Sequence, residues 1–424
     1  MHYWFLVAVV ISCLGLSACR SFTPSSSDHS VLPAASSPSV NPAFRYRPAP
    51  VQLTPQPDLN FDDYVSYVEA HLRRYRIPVA GFDHEAQLQW NLPFERRPAA
   101  FCRPSEIRGM LWVHGLNDSP YVFRELVGAL PERHCLWVRT ILLQGHGTRP
   151  GDMVEANAKD WQRSVSIKAR ELVEDTGHPI YLGGFSTGGA LVTSWALVHP
   201  DDVSGLITVA PAWALKGAVE RYLWLTPVAA WFVDFVKTKE ELNPVKYQSL
   251  AMNAAAQVGV VLDQVQSRLS SQGPWPFPVL MLTAESDSVI NVDVLATYFK
   301  RSADMKNSRW IMFYDQRSVL PDWWDETKMW AWAGYFPDSH ILNISHMSLN
   351  FSQDNPLYGQ QGPLSRCIEP HGMSQEQCLQ LSKDQLWFSA WQSGESGPPT
   401  SRLTWTPFFE SWIEVISDFV QQTR

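Results

Sequence analysis

The segment Ile180-Tyr-Leu-Gly-Gly-Phe-Ser186-Thr-Gly-Gly-Ala190 restricts the folds open to this chain more than any other stretch. An apolar run of buried-strand character ends in G-F-S-T-G, and a helix-like run, Ala190–Val198, follows at once. A serine at such a strand-to-helix corner is pushed up above the edge of a parallel sheet. Gly184 and Gly188 have a steric role there, because a Cβ at either would clash where strand and helix cross. The pattern recurs by chance in unrelated chains, so its meaning depends on what the remaining residues supply.

Around that corner, apolar strand candidates lie at 109–114, 136–142, 179–185, 205–210 and 278–284, with helical candidates between them near 119–130, 158–175 and 187–199. This alternation predicts right-handed crossovers and an α/β fold with a mainly parallel central sheet flanked by helices. Phe61–Leu72 has helical spacing, Ala86–Leu92 alternates like a strand, and Pro407–Gln422 reads as a final helix. Two stretches break the rhythm. Residues 213–272 are too many for a simple crossover. They hold helical patterns at Tyr222–Val236 and Gln248–Leu269 and exposed-looking Trp213, Trp224 and Trp231, so a helical cap insertion is expected there. The second, 315–338, carries Trp323, Trp324, Trp330 and Trp332 and either walls a pocket or packs elsewhere. Residues 350–404 form a long polar excursion.

With 424 residues, 45% of them hydrophobic, the chain can bury a large core. A net charge of −8 without a basic stripe argues against a nucleic-acid partner. At the N-terminus, Trp4 to Leu16 is apolar but too short for a stable span, and Leu16-Ser17-Ala18-Cys19 follows. These four residues resemble the lipobox of bacterial lipoproteins, which implies a signal peptide at 1–19 and lipidation of Cys19, although Met1-His2-Tyr3 lacks the usual Lys or Arg. Arg20 is not the aspartate of an inner-membrane retention signal, so the expected location is the outer membrane of a bacterial envelope, with contact to the membrane through the lipid. Residues 20–60, rich in Ser, Pro and Ala, read as a disordered tether reaching on the order of 35 Å, and 61–424 as the folded domain. Cys102 and Cys135 precede neighbouring strand candidates at one end of the sheet, while Cys367 and Cys378 share a loop. Disulfides 102–135 and 367–378 are expected, the alternative being four free thiols.

A serine becomes a nucleophile when a base takes its proton and an acid orients the base. Downstream of Ser186, the strand pattern Pro278–Ala284 runs into Glu285-Ser-Asp287. Asp287 is the candidate orienting acid and Glu285 the fallback. His340-Ile-Leu-Asn-Ile-Ser-His346 offers two imidazoles, of which His346 follows the apolar run and is the candidate base. Either Arg309–Tyr314 or His340–Ser345 could be the strand that delivers it. An oxyanion needs two backbone donors, and the N–H groups of Thr187 and Leu116 are the candidates, the latter after His114-Gly115. His114 is expected to fix its turn. No metal or cofactor is required by this chemistry.

Taken together, H-G-L-N-D-S-P at 114–120, G-H-G-T-R-P at 145–150, G-F-S-T-G-G at 184–189, Asp287 and S-H-M at 345–347 resemble the α/β-hydrolase superfamily, in its monoacylglycerol-lipase, lysophospholipase and serine-aminopeptidase-like branch. The resemblance implies Ser186, Asp287 and His346 as nucleophile, acid and base, Leu116 and Thr187 as the oxyanion hole, and a structural loop at Gly145–Gly147. It implies a hydrolase of small carboxylic esters or acyl compounds acting through an acyl-enzyme. Two alternatives stand: a peptidase of the same fold, using cap carboxylates among Glu220, Asp234, Glu240 and Glu241 to hold a substrate amine, and a non-catalytic binding lipoprotein.

Overall fold

The computed structural model describes residues 42–424 apart from 218, 219, 221, 222, 272, 303–305, 316–319 and 391–397. Cys19, the leader at 1–19 and the start of the expected tether therefore lie outside the described residues.

In chain order the main elements are α1 (Phe61–Tyr75), α2 (His84–Asn91), β1 (Glu95–Arg96), β2 (Arg108–Val113), β3 (Leu136–Ile141), α3 (Ala158–Thr176), β4 (Ile180–Phe185), α4 (Thr187–Val198), β5 (Val203–Val209), α5 (Met252–Ser271), β6 (Val279–Ala284), α6 (Val292–Ser302), β7 (Arg309–Tyr314), β8 (Met329–Ala333) and α7 (Phe409–Gln422). The sheet runs β1-β3-β2-β4-β5-β6-β7-β8. Every pairing is parallel except β1 with β3. This is the expected fold class. Strands β4 and β6 are buried along their whole length, as parallel strands covered on both faces must be, which explains why their sequences read as unbroken apolar runs.

Helix α1 follows from local chemistry. The Asn60 side chain accepts the Asp63 N–H, two aspartates occupy the first turn and two arginines the last, and Phe61, Tyr64, Val68 and Leu72 form one buried face. The strand expected at Ala86–Leu92 is instead α2. Asp83 caps it at the Ala86 N–H, and Gln87, Leu88 and Asn91 share a buried face. The polar members of that face are matched: Gln87 bonds the Val79 backbone at both ends, and Asn91 donates to Pro244 O.

The tether expected over 20–60 is corrected for its described part. Residues 42–60 are docked on the domain. Gly151 N–H donates to Arg45 O, Ala49 N–H to the buried Asp152 carboxylate at 2.6 Å, and Leu53 is buried. Side chains add to these contacts, with Arg45 donating to Pro78 O, Tyr46 Oη to Lys239 O and Gln52 Nε2 to Asp152.

The insertion between β5 and β6 is helical only in its second half. The helix expected at Tyr222–Val236 is replaced by single turns at Leu223–Leu225 and Thr226–Ala229, then a strand, Phe235–Lys237, paired with Leu250–Ala251. Trp213 is fully buried rather than exposed, donating to Thr193 Oγ1 at 3.0 Å and meeting Trp275 edge-on. Helix α5 packs on α4. The second tryptophan-rich stretch packs at the far edge of the sheet. It supplies β8, Trp323 stacks on Trp310, and Trp332 lies against Phe313 and Phe408. Both expected disulfides, Cys102–Cys135 and Cys367–Cys378, are present.

Candidate active site

Ser186 stands between β4 and α4 with φ +53° and ψ −118°, a conformation disfavoured for a residue with a Cβ and held here by its neighbours. Its N–H donates to Val209 O, and its carbonyl accepts from the N–H groups of Ala190 and Ala212. The glycines do what their positions require. A Cβ on Gly188 would stand 1.9 Å from Val113 O, and one on Gly184 2.6 Å from Gly189 N. The corner is therefore wedged between β2 and β5, with its hydroxyl at the C-terminal edge of the sheet.

The same edge receives Asp287 from the turn after β6. Its Oδ1 accepts the N–H groups of Val289 and Ile290 at 2.7 and 3.0 Å, and its Oδ2 meets His346 Nδ1 at 2.6 Å. Burial raises the Asp287 pKa, but the imidazole and the two N–H donors outweigh it, and the carboxyl is held below its ordinary value. Glu285 is engaged elsewhere: it accepts the Asp315 N–H at 3.0 Å, while its own N–H donates to Phe313 O. Of the two candidate acids, Asp287 is the one facing the imidazole. The His346 ring lies 4.9 Å from the ring of Phe185, the residue before the serine. Among the described residues the Ser186 hydroxyl makes no hydrogen bond, and proton transfer to His346 requires that contact to form.

Neither expected strand delivers His346 directly. Arg309–Tyr314 is β7, His340–Ser345 is a loop, and β8 lies between them in sequence. That loop is held from outside. Ser286 Oγ donates to Ile344 O, Ser345 Oγ to Leu403 O at 2.5 Å, Leu342 N–H to Phe388 O, and Ala390 N–H to Asn343 Oδ1. The polar excursion thus buttresses the imidazole. His340, the discarded candidate, stacks on Trp387.

The second donor loop follows β2. A Cβ on Gly115 would lie 3.2 Å from Ser186 Cβ, tighter than an ordinary contact, so glycine here lets the backbone approach the corner without displacing it. Leu116 N–H has no acceptor among the described residues, and Thr187, first in α4, has no intrahelical one. His114 is buried, with Nδ1–H donating to Gly115 O and Nε2 accepting the Leu143 N–H. Burial lowers its pKa to about 4, and that of His146, which accepts the Asn117 N–H, to about 3. Both imidazoles are neutral braces of the loop, as the sequence suggested for His114 and for Gly145–Gly147. Sequence reasoning missed Lys246, whose ammonium pairs with Asp118 beside Gly115; no motif marks it, because it arrives from the insertion.

Residues 106–258 match the family described as serine aminopeptidase, S33. A Mycobacterium tuberculosis lipase, LipV, is 30% identical over 120 residues, which are 28% of this chain and 42% of that protein, so this chain spans less than half the length of that relative. Among solved structures, one described with the metagenome-derived lipolytic enzymes LipS and LipT gives a TM-score of 0.43 at 21% identity, covering 53% of this chain and 86% of that one. A Paleococcus ferrophilus monoacylglycerol lipase gives 0.41 at 17% identity, covering 52% and 88%.

Proposed function

We propose that this chain, a hydrolase that belongs to the α/β-hydrolase superfamily in its serine-aminopeptidase- and lipase-like branch, cleaves carboxylic esters through a Ser186 acyl-enzyme. The observation that carries the reading is the 2.6 Å bond from Asp287 to His346 Nδ1 at the sheet edge where Ser186 stands. With Nδ1–H donating to the carboxylate, Nε2 is free to take the Ser186 proton. The serine oxygen attacks the ester carbonyl, and the oxyanion is met by Leu116 and Thr187 N–H. The imidazolium then returns its proton to the leaving alcohol, and water, deprotonated by His346, releases the acid.

An ester reading is favoured over a peptidase by the state of the cap carboxylates. Glu220 accepts the Leu215 N–H and Gln266, and Glu241 accepts the Gln248 and Ser249 N–H groups. Both are committed to holding the insertion together, which leaves fewer anchors for a substrate amine. The test compares short-chain aryl esters with amino-acid anilides, alongside labelling by a fluorophosphonate. Ester turnover with covalent labelling is expected; faster anilide cleavage would transfer the assignment to the peptidase alternative, and no labelling would remove the serine mechanism.

Envelope attachment through Cys19 belongs to the same proposal. It is supported by the lipobox-like sequence, by two disulfides suited to an oxidising compartment, and by the insertion's surface. There Trp224, Trp231 and Phe232 are 73%, 83% and 80% exposed, a cluster suited to an apolar interface. Replacing Trp231 and Phe232 with serine is expected to lower hydrolysis of a monoacylglycerol in lipid vesicles by roughly tenfold per side chain. Turnover of a soluble acetate ester should stay within about twofold of wild type; an equal fall on both substrates would refute an interfacial role.

A further inference from the structure

The loop that carries Leu116 is not self-supporting. Asn117 has a left-handed backbone (φ +64°), and Asp118 N–H closes the turn onto Gly115 O at 3.2 Å. Besides the Asn117 N–H bond to His146, three contacts that fix it come from residues 246–249 of the insertion, more than 120 positions away in sequence. Tyr247 N–H donates to Asn117 O at 2.8 Å, Asn117 Nδ2 donates to Ser249 O at 3.0 Å, and Lys246 Nζ donates to Asp118 Oδ1 at 2.8 Å. The Asp118 carboxylate in turn lies against Gly115, where a Cβ would be 3.0 Å from its other oxygen. The ammonium of Lys246 is thus linked through the Asp118 side chain to the turn that Asp118 N–H closes on Gly115, whose successor offers the Leu116 N–H.

The clamp is itself rooted in the fold. Pro244 O accepts from the buried Arg76 guanidinium and from Asn91 Nδ2, and Tyr247 Oη donates to Gly145 O. Lys246 and Asp118 are both largely shielded, with side chains 23% and 10% exposed, so solvent screens their attraction less than it would at the surface. A donor aimed at developing charge contributes only if its position is fixed before the reaction.

We infer that Lys246 is a positioning residue for catalysis: through Asp118 it fixes the loop that presents the Leu116 N–H to the oxyanion, and so ties the insertion to the reacting centre. The inference rests on the acyl-enzyme reading above and extends it to a residue that touches no substrate. Its consequence is a defect in the chemical step without a defect in binding. Displacing a reacting group by about 1 Å costs on the order of 100-fold. Lys246→Met is therefore expected to lower kcat, and the rate of fluorophosphonate labelling of Ser186, by about 10- to 100-fold, with KM within about twofold.

The experiment measures both rates for wild type, Lys246→Met, Lys246→Arg, Asp118→Asn and the Lys246→Met/Asp118→Asn pair, at a temperature where melting curves confirm that each is folded. Lys246→Arg, which keeps the charge, should recover most of the kcat, and the double variant should be no slower than the worse single one, because the two residues act as one unit. Wild-type kcat in a folded Lys246→Met protein, or a rise in KM with kcat unchanged, overturns the inference and leaves the serine mechanism standing. If the wild-type protein fails to label at Ser186, both fall together.

Discussion

Replacing Ser186 with alanine is expected to lower kcat for ester hydrolysis by roughly 10⁴- to 10⁶-fold and to abolish covalent labelling, with little change in melting temperature. Stability should survive because the corner is held by backbone contacts with Val209, Ala190 and Ala212 and by the close fit of Gly184 and Gly188, none of which uses the hydroxyl. The loss should be nearly as large for His346→Ala, and the Ser186→Ala/His346→Ala pair should be scarcely worse than either, since neither group works without the other. Steady-state kinetics on purified protein, with the labelled peptide identified by mass, decide the matter. A Ser186→Ala protein that keeps a tenth of wild-type activity would mean that the nucleophile lies elsewhere.

The second large effect is expected from Asp287→Asn, on the order of 10³- to 10⁴-fold in kcat. The surroundings of this side chain dictate how asparagine must sit. Val289 and Ile290 present N–H donors to one oxygen, so the amide oxygen will take that side and the amide NH2 will face His346. A donor there demands an acceptor on Nδ1, and the imidazole proton must move to Nε2, the atom that should receive a proton from Ser186. The base is then present but in the wrong tautomer. The same substitution has a pH signature in stability. The folded Asp287 carboxyl titrates below its ordinary value, so it binds fewer protons than the unfolded chain in the acid range. Its stabilisation is full above the unfolded pKa of about 4 and is lost as pH falls through the lower folded value. Asp287→Asn should flatten that part of an acid-unfolding curve, measured by near-ultraviolet circular dichroism; an unchanged acid limb would contradict the role given to the pair.

What could be read without coordinates was the part governed by local sterics. The Gly184-Phe-Ser186-Thr-Gly188 corner needs those glycines whatever surrounds it, and buried parallel strands need unbroken apolar runs, so β2 to β6 were visible. The order of serine, acid and imidazole was visible because the resemblance supplied it, with strand patterns ahead of Asp287 and His346 to place them. What escaped depends on partners distant in sequence. Helix α2 looked like a strand because its buried face is polar: Gln87 and Asn91 point inward, satisfied by Val79 and Pro244. Residues 42–60 looked like a linker because their partners are distant in sequence: Arg45 reaches Pro78 O, Tyr46 Lys239 O, and Ala49 N–H and Gln52 the Asp152 carboxylate. Trp213 looked exposed because its hydrogen-bond partner, Thr193, lies on α4, well before it in sequence. Strand β8 was hidden in alternating Trp and Ala that suit an edge position as well as a loop. Lys246 carries no motif, and Ser345 was legible only as part of S-H-M; what each holds depends on Asp118 and Leu403.

The brace on the His346 loop sets a timetable for the newborn chain. Serine, carboxylate and imidazole have all been synthesised by residue 346, yet the carbonyl that receives Ser345 and the strand that pins Leu342 come from residues 388–403. Until that later stretch is in place, the loop keeps only its earlier partners, Ser286 and Asp287 among them. A chain cut short before Phe388 would carry every reactive group but lack this brace, and a loss of hydrolysis is the outcome to expect from it.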